Sequence, residues 1–472
     1  MMNASHWPAA FVNRMEGWLG AEAVGAEAPA EAAGAEAVAF FAALAQRDVG
    51  LRLNSLRGSP AELQERIPWQ TSPVPWCPAG LWLQEDAPVG KHPYHTAGVY
   101  YLQDPSAMAA AVLLDPRPGE WVLDLAAAPG GKATHLAARM GNRGVLVANE
   151  VARRRASVLA MNLERLGVTN ALVSNETPKR LAERWPAFFD AVLVDAPCSG
   201  ESMFSRDPRA LRDWSLATVA EYAHRQRTIM AQAAPLVRPG GRLLYGTCTF
   251  APEENEGVVA AFLAEHPDFN VVNLPALPGL SPGRPEWIGA PDTLRRAGRF
   301  WPHHGPGHGH FYALLRRQGE PSGTLPERWA GTDVPGRVLQ AYRRCLGETL
   351  TTPPPEEGLL LAARDELYVT PLAPRLWQGL RVLRPGWWVA SWRHDKIIPD
   401  QALALTLRPE DAREVVTLAV DDPRLVKFLR GGFWFDEGPA GFVLVTVEGL
   451  PLGWAKRGEG RLRSRYPFHL RR

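Results

Sequence analysis

From residue 121 to residue 316 the chain alternates short apolar runs with helix-length amphipathic segments. No other feature restricts its fold as tightly. Trp121-Val-Leu-Asp-Leu, Gly144-Val-Leu-Val-Ala, Ala171-Leu-Val-Ser, Asp190-Ala-Val-Leu-Val-Asp and Gly241-Arg-Leu-Leu-Tyr-Gly each read as a buried strand. Helices are predicted over 132–140, 153–166, 216–236 and 253–265, and strands over 269–274 and 310–316 close the set. Strands and helices in this alternation build βαβ units and a doubly wound parallel sheet. The predicted class is therefore α/β and Rossmann-like. In such sheets ligands bind outside the carboxyl ends of the strands, so the residues that follow each apolar run are the candidate site.

Three of those strand ends carry unusual sequences. The first is Asp124-Leu-Ala-Ala-Ala-Pro-Gly-Gly-Lys132, between a strand and a helix. Small residues let backbone approach a ligand, and the helix N-terminus offers free N–H groups. The stretch has neither the third glycine of a dinucleotide fingerprint nor the Lys-Ser/Thr ending of a P-loop. Glu150 ends the next strand, 19 residues after Gly131, where a carboxylate grips ribose hydroxyls. An adenosine-containing ligand without a pyrophosphate fits best, namely S-adenosylmethionine. The second sequence is Asp195-Ala-Pro-Cys-Ser-Gly200 and the third Tyr245-Gly-Thr-Cys-Thr-Phe250. A lone cysteine is most often a small core hydrophobe. Two cysteines, Cys198 and Cys248, at two strand ends facing one crevice point to chemistry instead.

These three motifs resemble those of the Sun-type (Nop2/Sun) RNA cytosine-5 methyltransferases. Tyr101-Leu-Gln-Asp-Pro-Ser-Ala-Met108, Arg299-Phe-Trp-Pro-His and His310-Phe-Tyr-Ala extend the resemblance over residues 99–318. The C-terminal stretches Gly441-Phe-Val-Leu-Val and Pro451-Leu-Gly-Trp-Ala-Lys are similar to the PUA-like RNA-binding module of the bacterial multi-domain branch that methylates small-subunit ribosomal RNA. The first domain resembles the RRM-like unit of the same branch. The resemblance implies a Rossmann-like methyltransferase domain using S-adenosylmethionine. Its cofactor residues would be Ala126, Ala127, Ala128, Pro129, Gly130, Gly131 and Lys132 in the turn, Glu150 at the ribose, Arg155 five positions on, and Asp195. The family's adenine-side Asp, 27 residues after the ribose acid, is replaced here by Thr177, with Asn175 and Glu176 as neighbouring alternatives.

Cytosine C5 is a poor nucleophile. A thiolate added at C6 turns it into an enamine-like carbon that can attack an electrophilic methyl group, the division of one hard step that covalent catalysis provides. DNA cytosine-5 enzymes use a Pro-Cys cysteine. In the RNA family the Thr-Cys position attacks, which implies Cys248 as nucleophile, Cys198 in loss of the C5 proton or in product release, and Asp195 at the base or the cofactor. Sequence physics alone does not separate the two cysteines. The target cytosine must be unstacked or already single-stranded. Ribosomal RNA or the small ribosomal subunit is the implied partner. Transfer RNA, a non-catalytic assembly role and DNA are the alternatives, and the β-rich C-terminal extension favours the ribosomal branch.

The remaining sequence sets the frame. Four domains are expected: an α+β unit at 1–98, the methyltransferase domain at 99–318, a connector with a small β-rich domain at 319–395, and a PUA-like unit at 396–472. Net charge is only +2, and six of the 52 basic residues are lysine. The balance is uneven, because residues 452–472 hold seven basic side chains (Lys456, Arg457, Arg461, Arg463, Arg465, Arg471, Arg472) against Glu459 alone. Phosphate contact is expected there, and also at Arg206 and Arg209 beside the second motif. Cys77 and Cys345 carry no motif. His303, His304, His308 and His310 cluster without a carboxylate or cysteine nearby in sequence, so no metal is expected. The few scattered cysteines, the absence of an apolar run of about 18 residues and the carboxylates Glu22, Glu27, Glu31 and Glu36 in the alanine-rich N-terminal stretch predict a soluble, cytoplasmic protein without a membrane partner, with a monomer favoured.

Overall fold

The computed structural model describes residues 7–23, 30–320, 331–353, 358–393 and 396–471. Glu27 and Arg472 lie outside them.

The first sheet is antiparallel and joins β1 (Gly50–Leu53), β2 (Thr71–Pro73), β3 (Gly80–Leu83) and β4 (Tyr100–Leu102) in the order β2-β3-β1-β4. A helix at Pro60–Glu65 follows β1 and another at Pro93–Thr96 follows β3. The chain order is thus βαββαβ, the split arrangement of an RRM-like unit. The first helix starts on a capping box in which Ser59 and Glu62 satisfy each other's backbone N–H groups. The fourth strand falls beyond the boundary expected at residue 98, because Leu51 and Arg52 pair with Leu102 and Tyr101.

The N-terminal helices do not belong to that sheet. The apolar periodicity over 8–46 forms Ala9–Ala23 and Ala30–Leu44. Their buried residues, Phe11, Met15 and Phe40 among them, pack with Phe204, Trp214, Phe250 and Trp301 of the methyltransferase domain. Phe40 meets Phe250 edge-on with ring centroids 5.0 Å apart, and Phe11 meets Phe204 at 5.0 Å. Arg14 donates to both carboxylate oxygens of Glu253, at 2.7 and 2.6 Å. The helical pair therefore braces the segments that follow both cysteine motifs. Apolar periodicity marks which face of a helix is buried but not against what.

The central sheet has five parallel strands, β5 (Trp121–Asp124), β6 (Val145–Asn149), β7 (Ala171–Ser174), β8 (Phe189–Asp195) and β9 (Val237–Thr247), in the order β9-β8-β5-β6-β7. Helices cover both faces, which is why these strands are apolar nearly throughout. Val122, Leu123, Val147, Val192 and Leu243 are fully buried, and each contributes about 1.5–3 kcal/mol of transfer free energy. The sheet is not parallel throughout, as the alternation predicted. The antiparallel strands β10 (Phe269–Val271), β11 (Leu280–Pro282), β12 (Gly298–Phe300) and β13 (His310–Arg317) extend it beyond β9.

The connector supplies its own sheet from β14 (Gly331–Asp333), β15 (Leu359–Ala363), β16 (Glu366–Thr370), β18 (Trp387–Arg393) and β19 (Lys396–Pro399). Its remaining strand, β17 (Val382–Arg384), leaves that sheet and adds to β7 at the edge of the central one. This covers an edge that would otherwise be open to pairing with another chain. The last sheet holds β20 (Val415–Leu418), β21 (Phe433–Phe435), β22 (Gly441–Val447), β23 (Leu450–Gly458) and β24 (Arg461–Ser464), in the order β20-β22-β23-β24-β21. The boundary expected at residue 396 would place β19 in the last unit, whereas β19 completes the third sheet. Among the described residues no helix is long and apolar enough to cross a membrane.

Candidate active site

Chain order in the parallel sheet reverses between β5 and β8, and ligands in open α/β sheets collect at such a switch point. Asp124 and Asp195 end those two strands. Glu150 follows β6 and Cys248 follows β9, so the three motifs and Glu150 stand at the same end of the sheet.

The turn after β5 is held from both sides. Ala127 N–H donates to Asn149 O at 2.8 Å. The Ala128–Pro129 bond is cis, and Gly130 adopts φ 114°, a left-handed conformation, at the N-cap of the helix Gly131–Arg139. A side chain there would be strained. Arg155 donates to Ala128 O at 2.7 Å and reaches Glu150 Oε2 at 3.2 Å. It thereby links the turn to Glu150. Glu150 is buried, and its Oε1 accepts the Ala152 N–H at 2.9 Å. Its Oε2 has only the Arg155 ion pair.

Asp124 is fully buried, and neither carboxylate oxygen has a well-formed hydrogen bond. Burial pushes its carboxyl up to about 8, the nearby Asp195 adds to the rise, and Lys132 opposes it. A buried acid without a satisfying partner fits a cationic ligand. The ammonium and sulfonium groups of S-adenosylmethionine are such cations. Asp124, the turn and Glu150 are therefore suited to that cofactor. Below about pH 8 the free protein holds a proton on Asp124 that a bound cation would displace. Cofactor affinity is therefore expected to rise with pH up to about 8, with proton release measurable by titration calorimetry in buffers of different ionisation enthalpy. Asp124→Asn removes that slope. The same shift makes the folded state bind a proton that the unfolded chain gives up above the ordinary carboxylate range. Asp124's contribution to stability is thus lost as pH rises from about 4 to about 8.

The adenine side departs from expectation. Thr177 is exposed, and its hydroxyl caps the helix Pro178–Arg184 by accepting the Arg180 N–H. Asn175 donates to Glu150 O at 2.7 Å and Val151 O at 2.9 Å. Glu176 is taken by Arg381 of the connector, through its backbone N–H at 2.8 Å and its guanidinium at 3.2 Å. All three side chains are thus engaged by the protein itself.

Across the crevice Lys132 Nζ lies 2.7 Å from Asp195 Oδ2. Burial lowers the lysine, but Asp195 outweighs it with further help from Cys248 and Asp124, so the ammonium is held above its ordinary range. Cys198 Sγ and Cys248 Sγ are 3.2 Å apart, and both thiols are free and half-buried. The Cys198 thiol is pushed well above its ordinary range, first by its hydrogen bond to Cys248 and then by burial. The two cysteines differ in environment: the Cys198 thiol is raised, and Cys248 is close enough to Lys132 to strengthen its charge.

Two buried carboxylates that sequence reasoning missed hold the cysteine loops together. Glu254 accepts the Ser199 N–H at 2.9 Å and the Gln226 side chain at 2.8 Å. Burial pushes its carboxyl up to about 7. Glu201 accepts from Thr249 Oγ1 at 2.9 Å, Phe250 N–H at 2.8 Å and Trp214 Nε1 at 3.0 Å. Ser199 and Thr249 hydroxyls meet at 2.9 Å. Glu201 adjoins the Asp-Ala-Pro-Cys-Ser-Gly motif, and that adjacency was the available signal. A second group lines the side nearest Tyr101-Leu-Gln-Asp. His308 Nδ1 sits 2.7 Å from Asp104 Oδ2, and Ser106 Oγ 2.8 Å from His310 Nδ1. Burial depresses His310 to about 4 with Lys132 adding to it, so its imidazole stays neutral at physiological pH.

The motif arginine Arg299 is buried. It binds Glu256 through Nε at 2.9 Å and Nη2 at 2.5 Å, and Phe250 O through Nη1 at 2.9 Å. Losing one member of a buried pair costs about 3–5 kcal/mol. Arg299→Ala is expected to lower unfolding free energy by about that amount in a denaturant titration.

Other expectations change. Glu36, on the second N-terminal helix, supplies the carboxylate absent from the histidine-rich sequence: with His303 and His304 it brings three ligand atoms within 4.8 Å. His303 Nε2 and Glu36 Oε1 are 3.5 Å apart. His308 pairs with Asp104 and Gln46 O instead, and His310 with Ser106. Arg457 does not face phosphate: it is buried between Glu414 and Asp436, each at 2.6 Å. Arg206 lies 3.7 Å from Asp104 with Nη2 buried and unpartnered. Arg209 is exposed and paired with Asp207. Cys77 is buried, its sulfur 4.0 Å from His135 Nε2.

Fold and site together define a methyltransferase that uses S-adenosylmethionine. A family model described as 16S rRNA methyltransferase RsmB/F matches residues 111–316. Models for the N-terminal, first C-terminal and PUA domains of RsmF match 7–105, 346–407 and 415–472. The ribosomal RNA small subunit methyltransferase F of Escherichia fergusonii is 34% identical over 91% of this chain and 92% of its own length, and that of Shigella boydii is 34% identical with the same coverage. The chain belongs to the RsmF branch of this methyltransferase family. Among solved structures, a methyltransferase homologue from Pyrococcus horikoshii is 28% identical, with a TM-score of 0.53 over 67% of this chain and 100% of its own. The fold is shared too with NSun6 of Pyrococcus horikoshii, solved with SFG, at 22% identity and a TM-score of 0.55 over 66% of this chain and 99% of that one.

Proposed function

We propose that this protein methylates cytosine C5 in small-subunit (16S) ribosomal RNA through a covalent adduct between Cys248 and C6. The observation that carries this reading is the 3.2 Å contact between Cys198 and Cys248 with the Lys132–Asp195 pair beside it. Methylation of an exocyclic amine requires no cysteine, whereas C5 chemistry needs a thiolate at C6 and a group to take the C5 proton.

The asymmetry of the pair supports Cys248 as nucleophile. Cys248 strengthens the Lys132 ammonium, whereas the contact between the two sulfurs holds the Cys198 thiol above its ordinary range. Cys248 gives its proton to water and adds to C6 as the thiolate, and the ring electrons move to C5. S-adenosylmethionine supplies the electrophilic methyl group that C5 takes. Bonding of Cys248 to C6 removes the hydrogen bond that kept Cys198 protonated. Cys198 can then lose its proton to water and accept the C5 proton, as the electron pair of that C–H bond expels Cys248 as thiolate. Asp195, with one oxygen held by Lys132, keeps the other for the base. The turn Ala126–Lys132, Glu150 and Arg155 hold the cofactor. Thr177 offers the cofactor its backbone, its hydroxyl being used by the helix cap.

The ribosomal RNA substrate rests on the RsmF relatives and on the four domain matches that span the chain. Incubation of small ribosomal subunits and of their naked RNA with methyl-labelled S-adenosylmethionine, followed by nucleoside analysis, tests it. Label in 5-methylcytidine of 16S RNA is expected. Label confined to transfer RNA would overturn the substrate, and label in N4-methylcytidine the chemistry.

A further inference from the structure

The last sheet carries an exposed aromatic and arginine face that the methyltransferase chemistry does not use. Among the described residues β21 is its edge strand and pairs only with β24. Phe433 lies opposite Arg463, and Phe435 opposite Arg461. The pleat sends Trp434, Leu462 and Ser464 inward and Phe433, Phe435, Arg461, Arg463 and Arg465 outward. Phe433 is 46% exposed and Phe435 78%. The Arg461 guanidinium sits over both rings, 5.4 and 5.5 Å from their centroids, and Arg463 lies 5.9 Å from Phe433. None of these three arginines has a carboxylate ion pair among the described residues. Of the acidic residues nearest in sequence, Asp436 is bound to Arg457, and Glu437 and Glu459 follow and precede the two strands.

Two large apolar rings exposed on an edge strand are a liability unless something covers them. The cations fix the chemistry of the covering group. Arginines interleaved with exposed aromatic rings match a strand of unpaired nucleotides, whose bases stack on the solvent side of the rings and whose phosphates meet the guanidinium groups. A protein segment of matching charge would have to be acidic and apolar at once, and it would leave the stacking faces without planar partners. A duplex offers no free base to stack.

We propose that Phe433 and Phe435, flanked by Arg461, Arg463 and Arg465, form a stacking platform for unpaired ribonucleotides of the substrate, separate from the catalytic crevice. This rests on the RNA-substrate reading above and deepens it. It assigns this face to single-stranded RNA and gives the aromatic residues the larger share of affinity.

The experiment measures binding of a fluorescent, unstructured oligouridylate to the full-length protein over a range of salt concentrations. Phe435→Ala and the Phe433→Ala/Phe435→Ala double variant, both changing exposed side chains, are compared with Arg461→Gln. Thermal melting checks that each variant is folded. The expected result is a loss of about 10- to 100-fold for the double phenylalanine variant with an unchanged salt slope. For Arg461→Gln the slope should fall by about one. Methyl transfer by the wild-type protein is measured in parallel, so failure of the methyltransferase reading is recorded separately. Transfer with unchanged oligouridylate affinity in all variants would overturn the platform. So would a defect seen only with intact protein-containing subunits, which would mark a protein-binding face. Loss of a dimer in sedimentation would mark contact between two copies and would also overturn it.

Discussion

Cys248→Ala is expected to abolish methyl transfer, while Cys198→Ala should accumulate a protein–RNA adduct that survives denaturing electrophoresis. The expectation follows from the environments of two sulfurs 3.2 Å apart. Removing Cys248 removes the atom that adds to C6, and without that bond C5 stays a poor nucleophile. Removing Cys198 leaves addition and methyl transfer possible but takes away the group that receives the C5 proton, so the C6–S bond persists. The double variant should show neither transfer nor adduct, since roles in one sequence of steps are not additive. An adduct with Cys248→Ala and none with Cys198→Ala would reverse the two roles.

Lys132→Met should lower the rate of transfer about 10²- to 10³-fold, the scale of removing a preorganised charge from an active site. It should do so with little change in substrate KM. The ammonium balances Asp195 at 2.7 Å and acts on Cys248. Methionine keeps the length of the side chain but leaves the Asp195 carboxylate without its partner. Lys132→Arg retains charge but not the compact geometry of the ammonium, and partial activity is expected. Single-turnover kinetics with excess enzyme checks both variants. A Lys132→Met enzyme with wild-type transfer rate would remove the pair from the mechanism.

The central sheet and its site were legible because strand period and strand-end position are local properties. Asp124, Glu150, Asp195, Cys198 and Cys248 stand at strand ends that apolar runs alone locate, and the topology brings those ends together. What was not legible depends on contacts distant in sequence. Glu201 and Glu254 look like surface acids until Ser199, Thr249 and Gln226 close around them. The N-terminal helices read as part of the first domain, yet Phe40 and Phe11 pack on Phe250 and Phe204. The excess of C-terminal arginines was visible as a total, but the total hid two roles. Arg457 is locked between Glu414 and Asp436, whereas Arg461, Arg463 and Arg465 face outward. The count of charges is a property of the sequence, and their availability is set by the pleat of a β-strand.

Tritium release from 16S RNA labelled at cytosine C5 tests the central claim most directly, because methylation at C5 must expel the hydrogen that stood there. The account predicts one tritium released to water for each methyl group transferred, and none from Cys248→Ala. Methyl transfer with all tritium retained would contradict it.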